Sequence, residues 1–175
     1  VRRLEELGLL TLTEEPRLRC REIKPAQVDT QAPLTAAQQQ TLDGLSSQLK
    51  SKTPGVALLY GVTGSGKTMV YLHLIRHTLD MGKSAMLLVP EIALTPQLLG
   101  ILAAWFGETV AVLHSSLSTS ERYDQWKRVR SGQAQVVVGT RSAVFAPCPN
   151  LGLVILDEEQ EHTYKSQQNP RYDAK

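Results

Sequence analysis

A glycine-rich octapeptide limits the folds open to this chain more tightly than any other segment. Its residues are Gly61, Val62, Thr63, Gly64, Ser65, Gly66, Lys67 and Thr68. They fit the pattern G-x-x-x-x-G-K-[ST] and stand between the apolar run 56–60 and a helical pattern over 68–81. Glycines let backbone N–H groups converge on phosphate oxygens, and the start of the following helix favours the same anion. The octapeptide therefore predicts a phosphate-binding loop between a strand and a helix.

Four residues carry the chemistry that such a loop implies. Lys67 is predicted to neutralise the β and γ phosphates of a bound nucleotide, and the Thr68 hydroxyl to ligate Mg²⁺. Downstream, the apolar run 151–156 ends in Asp157 and Glu158. Asp157 is expected to hold the metal together with Thr68, while Glu158 polarises the attacking water. An ordinary solvated loop also begins with acidic residues, but the upstream phosphate loop favours the catalytic interpretation.

Strand and helix patterns alternate along most of the chain. Apolar runs predict strands at 56–60, 84–89, 109–113, 135–139 and 151–156. Helices are predicted from about 36 to 49, 68 to 81, 96 to 105 and 118 to 130, with Thr35, Thr95 and Ser118 as caps. This order predicts an α/β fold whose parallel sheet is flanked by helices and binds ligands at the carboxyl ends of its strands.

The first 33 residues differ from this pattern. Residues 1–24 predict a short helix and a hairpin with balanced charges, which fits the end of a winged helix or any small α+β fragment. Residues 25–33 are polar and bracketed by prolines, so they are interpreted as a linker to a lobe over 34–175.

Composition adds mainly exclusions. A net charge of +2 does not indicate a nucleic-acid partner by itself, and two distant cysteines, Cys20 and Cys148, are too few for a zinc site. No apolar run is long enough to span a bilayer. We therefore expect a soluble, cytoplasmic protein without a membrane partner. The start at Val1 suggests an excised fragment.

Taken in order, the motifs of residues 34–172 resemble the first RecA-like lobe of the PriA replication-restart helicases, a family of superfamily 2 DNA helicases. The resemblance rests on 34–38, on the octapeptide followed by 70–72, and on 89–92, 94–97, 139–143, 157–159, 164–165 and 171–172. It implies that Gln38 reads adenine and that Gln160 couples the ATP site to a second lobe. It also implies a DNA-contacting set: Pro90, Glu91, Thr95, Gly139, Thr140, Arg141, Tyr164, Lys165 and Tyr172.

Three positions depart from the family pattern. Met69 replaces a usual Glu, Gln160 replaces a frequent His, and Asp173 replaces another frequent His. An altered coupling through Gln160 is expected rather than its loss, because glutamine still donates and accepts hydrogen bonds. Tyr164 and Tyr172 lie in a polar stretch, where exposed aromatic rings are expected to stack on bases.

The resemblance implies an ATP- and Mg²⁺-dependent helicase that moves 3′ to 5′ on single-stranded and forked DNA. Primosome and single-strand-binding proteins are its implied partners. A second lobe beyond Lys175 would supply an arginine finger and a zinc-binding cysteine cluster, so the fragment alone is expected to be inactive. Two alternatives stay open: another P-loop enzyme such as a small-molecule kinase, and a PriA-like recruitment scaffold with weak or no ATPase.

Overall fold

The computed structural model describes residues 23–51, 53–62, 64–166, 169 and 171–175. The helix and hairpin predicted within residues 1–24 therefore lie outside the described residues, apart from Ile23 and Lys24. The division into a winged-helix remnant, a linker and a lobe stays a prediction.

Four parallel strands form the centre of the fold. They are β1 (Ser84–Leu88), β2 (Val110–Leu113), β3 (Val136–Gly139) and β4 (Leu151–Leu156), in the spatial order β2-β3-β1-β4. Their carboxyl ends are level, because Leu88 pairs with both Gly139 and Leu156. The predicted parallel α/β sheet is confirmed, and the loops after all four strands meet at one edge.

Four helices accompany the sheet. They are α1 (Ala36–Lys50), α2 (Lys67–Asp80), α3 (Pro96–Phe106) and α4 (Thr119–Arg130). The predicted caps are confirmed: Thr35 and Ser118 each form a capping box, and Thr95 accepts from Leu98 N ahead of a proline at the first helical position. No helix among the described residues has the length and apolar character needed to cross a bilayer.

Alternating strand residues divide the core into two layers. Leu87, with its same-facing neighbours, packs under α2 and α3, where Ile75 and Leu102 are fully buried. Leu88 faces the other way and packs with Val129 of α4. Helix α1 lies on α2 rather than on the sheet, through a small cluster that includes Leu42. The alternation matches the two-residue period of a strand covered on both faces.

The prediction of a strand at 56–60 is wrong. This segment lies ahead of the octapeptide without strand structure, and β4 is the edge of the described sheet. Val56 is 99% exposed and Tyr60 91%, whereas Leu59 is half-buried and packs against the first core layer. An apolar run indicates a tendency to be buried but does not specify a ladder partner, and here one side chain makes the apolar contact.

The predicted linker begins in contact with the lobe. Ala26 N donates to Gly100 O at 2.9 Å, and a Cβ at Gly100 would approach the Lys24 carbonyl to 3.3 Å. Ile23 packs against the first core layer. The glycine in α3 therefore lets this extended segment lie directly on the helix.

Candidate nucleotide and DNA site

The octapeptide ends at the first turn of α2, and its lysine turns back onto the loop. The Lys67 ammonium donates to Gly61 O at 2.6 Å and to Val62 O at 3.2 Å. Ser65 N donates to Val62 O at 3.2 Å. Since both Lys67 acceptors are neutral backbone carbonyls, a bound phosphate would offer the ammonium a stronger, charged partner.

Glycine is favoured at three points of this loop. Gly64 and Gly66 have φ angles of 81° and 80°, in the left-handed region that costs other residues energy. A Cβ at Gly61 would lie 2.8 Å from Ser65 Oγ. The left-handed glycines therefore give the tight backbone turn of a phosphate-binding cradle. Thr63 lies outside the described residues.

Gln38 reaches this loop from the start of α1. Its side-chain amide donates to Ser65 O at 3.4 Å and to Gly66 O at 3.5 Å, while its Oε1 accepts from Thr35 N at 2.9 Å. The capping box thus fixes one end of the amide group and aims the other at the phosphate loop. The predicted adenine reader stands next to the predicted phosphate site.

Asp157 follows β4 at the same edge of the sheet. Its backbone N donates to Leu88 O at 2.9 Å, and its Oδ1 accepts from the Tyr71 hydroxyl at 3.3 Å. Burial, and then the nearby Asp157 charge, raises the pKa of Tyr71, so the phenol keeps its proton and donates. Thr68 precedes Tyr71 by three residues on α2, which places the two predicted metal ligands near one helix end.

Glu158 stands in an uncommon backbone conformation. Its φ of 48° lies in the left-handed region, where a residue with a long side chain is rare and strained. Gln160 donates its side-chain amide to Glu158 Oε2 at 2.6 Å, and Glu161 N donates to Glu158 O at 2.9 Å. The turn after β4 therefore holds the candidate water-activating carboxylate from both its backbone and its side chain.

A cavity of about 360 Å³ opens beside this turn. It gathers residues from the loops after β1, β3 and β4, including predicted DNA-contacting positions. The lining residues are Val89, Glu91, Thr140, Arg141, His162, Thr163, Tyr164 and Lys165. Gly139 cannot carry a side chain here, because its Cβ would collide with Leu113 O. Sheet topology thus brings together residues as distant in sequence as Val89 and Lys165.

Two cations of the cavity are already engaged by the protein. The Arg141 guanidinium donates to Lys165 O at 2.7 Å and to Thr163 O at 3.4 Å. The Lys165 ammonium lies 3.7 Å from an Asp173 carboxylate oxygen, and both side chains are largely exposed. Asp173, one of the departures from the family pattern, therefore offsets the charge of a predicted DNA-contacting residue.

The expectation that Tyr164 is an exposed stacking residue is wrong. Its ring is 1% exposed in the second core layer, and its hydroxyl lies 2.6 Å from Asp157 O and 3.0 Å from Leu88 O, which share its single proton. Burial, and then the Asp157 charge, raises the pKa of Tyr164. The polar neighbours of Tyr164 in the sequence predicted an exposed ring, but the fold buries that ring in the core.

Tyr172 lies partly open to solvent. Its ring packs edge-on against Phe145, with centroids 4.8 Å apart and planes at 68°. Phe145 is 65% exposed, and it follows Arg141 on a short 3₁₀ turn. The two rings form an aromatic pair beside the cavity.

The remaining predicted contacts lie along the loop after β1. Pro90 precedes the 3₁₀ turn Glu91–Ala93, and the Glu91 carboxylate accepts from Ser115 Oγ at 3.1 Å. Thr95 uses its hydroxyl oxygen as a helix cap. Sequence reasoning did not assign a role to Tyr71 or Phe145, although Tyr71 fell inside a quoted motif and Phe145 lies just after another. A tyrosine one turn after the loop lysine was the available signal for Tyr71.

A parallel α/β sheet with a glycine cradle and an acidic turn at one edge defines the class of P-loop nucleotide-binding lobes. The profile of the DEAD/DEAH box helicase family matches residues 35–174. The chain belongs to that family.

Individual relatives narrow the family assignment further. The chain is 50% identical over 143 residues to the replication restart protein PriA of Bacillus subtilis strain 168, covering 82% of this chain and 18% of the relative. It is 46% identical over 177 residues to the PriA of Synechocystis sp. strain PCC 6803, covering 100% of this chain and 21% of the relative. The chain thus spans about a fifth of the length of these relatives.

One solved structure supports the same fold. RecG bound to a three-way DNA junction superposes with a TM-score of 0.68 at 29% identity, over 81% of this chain and 20% of that chain. The predicted RecA-like helicase lobe is confirmed at the level of fold and family.

Proposed function

We propose that this chain is the ATP-binding lobe of a PriA-like DNA helicase, which couples ATP hydrolysis to 3′ to 5′ movement on single-stranded DNA. One observation carries the proposal: α2 begins at Lys67 in the glycine cradle, and Tyr71 of the same helix bonds Asp157 at the end of β4. A phosphate-binding cation and a metal-binding carboxylate at one helix start are what phosphoryl transfer requires.

We assign the nucleotide roles as part of this proposal. Gln38 contacts adenine, and the backbone N–H groups of the octapeptide with Lys67 hold the β and γ phosphates. The Thr68 hydroxyl and the Asp157 carboxylate bind Mg²⁺, for which oxygen ligands are suited. Held by these two residues, the metal would supply positive charge beside the phosphates.

Hydrolysis then needs a positioned water and a second cation. The Glu158 carboxylate takes a proton from a water whose oxygen attacks the γ phosphorus, while the bond to the β–γ bridging oxygen breaks and ADP leaves. Gln160 orients Glu158. Family resemblance puts the arginine finger in a second lobe, and such an arginine is worth about 10³–10⁵ in rate. Turnover by this chain alone is therefore expected near background.

The cavity and its rim form the proposed DNA surface. Arg141 and Lys165 would bind phosphates, the loops around Pro90, Thr95 and Gly139–Thr140 would position the backbone, and Tyr172 would stack on a base. We infer single-stranded and forked DNA as substrates, and primosome and single-strand-binding proteins as partners, in the cytoplasm. Zinc is expected only in the second lobe.

A recruitment scaffold with weak ATPase is the second candidate, and Gln160 in place of the family's frequent His favours it. Glu158→Gln in the complete enzyme separates the two. We expect this variant to bind ATP normally and to lose DNA-stimulated hydrolysis and unwinding. Glu159→Gln, which changes the exposed neighbour that lies 4.0 Å from Lys175, is the matched control and should stay active. Normal unwinding by Glu158→Gln would contradict the role of Glu158, and an inactive wild type would favour the scaffold.

A further inference from the structure

Tyr71 is a buried tyrosine whose hydroxyl is directed at the candidate metal ligand. It lies on α2, four residues after Lys67, with a side chain that is 8% exposed. Its hydroxyl donates to the Asp157 carboxylate, Oη to Oδ1 at 3.3 Å. The ring belongs to the first core layer, which also includes Val89 and Ile155, so apolar packing holds the hydroxyl at the sheet edge.

The backbone of Asp157 is fixed independently of Tyr71. Its N–H donates to Leu88 O at 2.9 Å, and its carbonyl lies 2.6 Å from the Tyr164 hydroxyl. The torsions left free are therefore those of the Asp157 side chain. The bond from Tyr71 acts on this remaining freedom, because it holds one of the two carboxylate oxygens in place.

We propose that Tyr71 is a positioning residue that orients the Asp157 carboxylate for Mg²⁺ bound with the nucleotide. This inference rests on the proposed function, since it assumes that Asp157 is a metal ligand. Partners of this outer kind fix the direction of a ligating side chain, and their loss commonly lowers metal affinity.

The position of Tyr71 on α2 connects the metal site to the phosphate site. Lys67 and Tyr71 are separated by one turn of the same helix, so they move together. A displacement of the helix start by bound phosphate reaches the metal ligand through one rigid element. The phosphate site and the metal site are thus assembled by a single helix turn.

The test measures ATP binding by this chain as Mg²⁺ is varied, in wild type and Tyr71→Phe. Phenylalanine keeps the buried ring and removes only the hydroxyl. We expect the Mg²⁺ concentration for half-maximal binding to rise about 10-fold, with metal-free ATP binding unchanged. Tyr123→Phe changes an exposed tyrosine on α4 and should behave as wild type.

A double-mutant cycle with Asp157→Ala separates positioning from packing. Tyr71→Phe should have no further effect once Asp157 is absent. An equal Mg²⁺ shift in both backgrounds, or no shift in either while wild type remains Mg²⁺-dependent, would overturn the inference. No ATP binding by wild type at any Mg²⁺ concentration would overturn the proposed function with it. If a variant is less stable than wild type, the same comparison can be made by measuring how much Mg²⁺ and ATP raise its melting temperature.

Discussion

Gln160 donates its side-chain amide to the carboxylate of Glu158, Nε2 to Oε2 at 2.6 Å, across the turn that follows β4. The family pattern often has histidine at this position, and glutamine fulfils a donor role there. The bond joins the residue expected to sense a second lobe to the residue expected to activate water.

Replacing Gln160 tests whether this bond supports hydrolysis. In the complete enzyme, Gln160→Glu should lower kcat more than Gln160→Ala, because a second carboxylate repels Glu158 instead of donating to it. The affinity for ATP should stay unchanged in both variants. Steady-state ATPase with saturating single-stranded DNA measures the difference. A kcat for Gln160→Ala equal to that of wild type would show that the bond does not support hydrolysis.

The sequence predicted most of this arrangement because its signals are local. Capping boxes at Thr35 and Ser118 and the spacing of Gly61, Lys67 and Thr68 depend on a few neighbouring residues. Tyr164 was wrongly expected to be exposed because its position is decided by distant carbonyls, those of Leu88 and its own turn.

The segment 56–60 was wrongly predicted as a strand for a related reason. Val56 and Leu59 belong to one apolar run, yet only Leu59 packs against the core. Ladder pairing depends on the partner strand, which the run itself does not encode. Likewise, the contact of Tyr71 with Asp157 joins residues 86 positions apart.

Asp173 should weaken DNA binding through its contact with Lys165. Asp173→Asn removes the carboxylate 3.7 Å from the ammonium, and we expect affinity for single-stranded DNA to rise about two- to fivefold at low salt. The gain should shrink as salt screens the charges. Asp80→Asn is the matched control, because it removes the same charge at the far end of α2. Equal gains in both variants would indicate a general charge effect, contrary to the proposed local one.

Substitutions of Tyr172 and of Tyr164 should have different effects. Tyr172→Ala in the complete enzyme should lose DNA stimulation of the ATPase while basal ATPase and ATP affinity persist, since base stacking is worth roughly 1–3 kcal/mol. Unchanged stimulation would make Tyr172 a packing partner of Phe145 only.

Tyr164→Phe should instead lower the free energy of unfolding by about 1 kcal/mol, because it removes the donor shared by Leu88 O and Asp157 O. Urea unfolding of this chain measures the change, with Tyr123→Phe as the exposed control. A Tyr164→Phe variant as stable as wild type would mean that this hydroxyl contributes nothing net.

His73 gives the fold a dependence on acid. Its Nε2 is buried without a hydrogen-bond partner among the described residues, and burial, then His77 and Arg76, lowers its pKa. Below about pH 6.5 the unfolded chain binds a proton that folded His73 does not. The free energy of unfolding should therefore fall as pH drops from there through the lowered pKa of the folded state.

Replacing the ring identifies the source of this fall. His73 packs edge-on against Trp105, with ring centroids 5.0 Å apart. His73→Phe keeps an aromatic ring at this position and removes the group that binds a proton. The acid-side decline should become shallower than in wild type, whereas His162→Phe, at an exposed position, should leave it in place. Parallel declines in wild type and His73→Phe would assign the effect to other groups.

The central claim is that the cradle ending in Lys67 binds the phosphates of ATP. Isothermal titration calorimetry of this chain with ATP and Mg²⁺ tests it most directly, comparing wild type with Lys67→Ala. The Lys67 ammonium donates to the Gly61 and Val62 carbonyls in this structure. When ATP binds, it should donate to phosphate oxygens instead. We predict that wild type binds ATP and that Lys67→Ala binds it at least 10-fold more weakly, about 1.4 kcal/mol. Equal ATP affinity in the two proteins would contradict the claim.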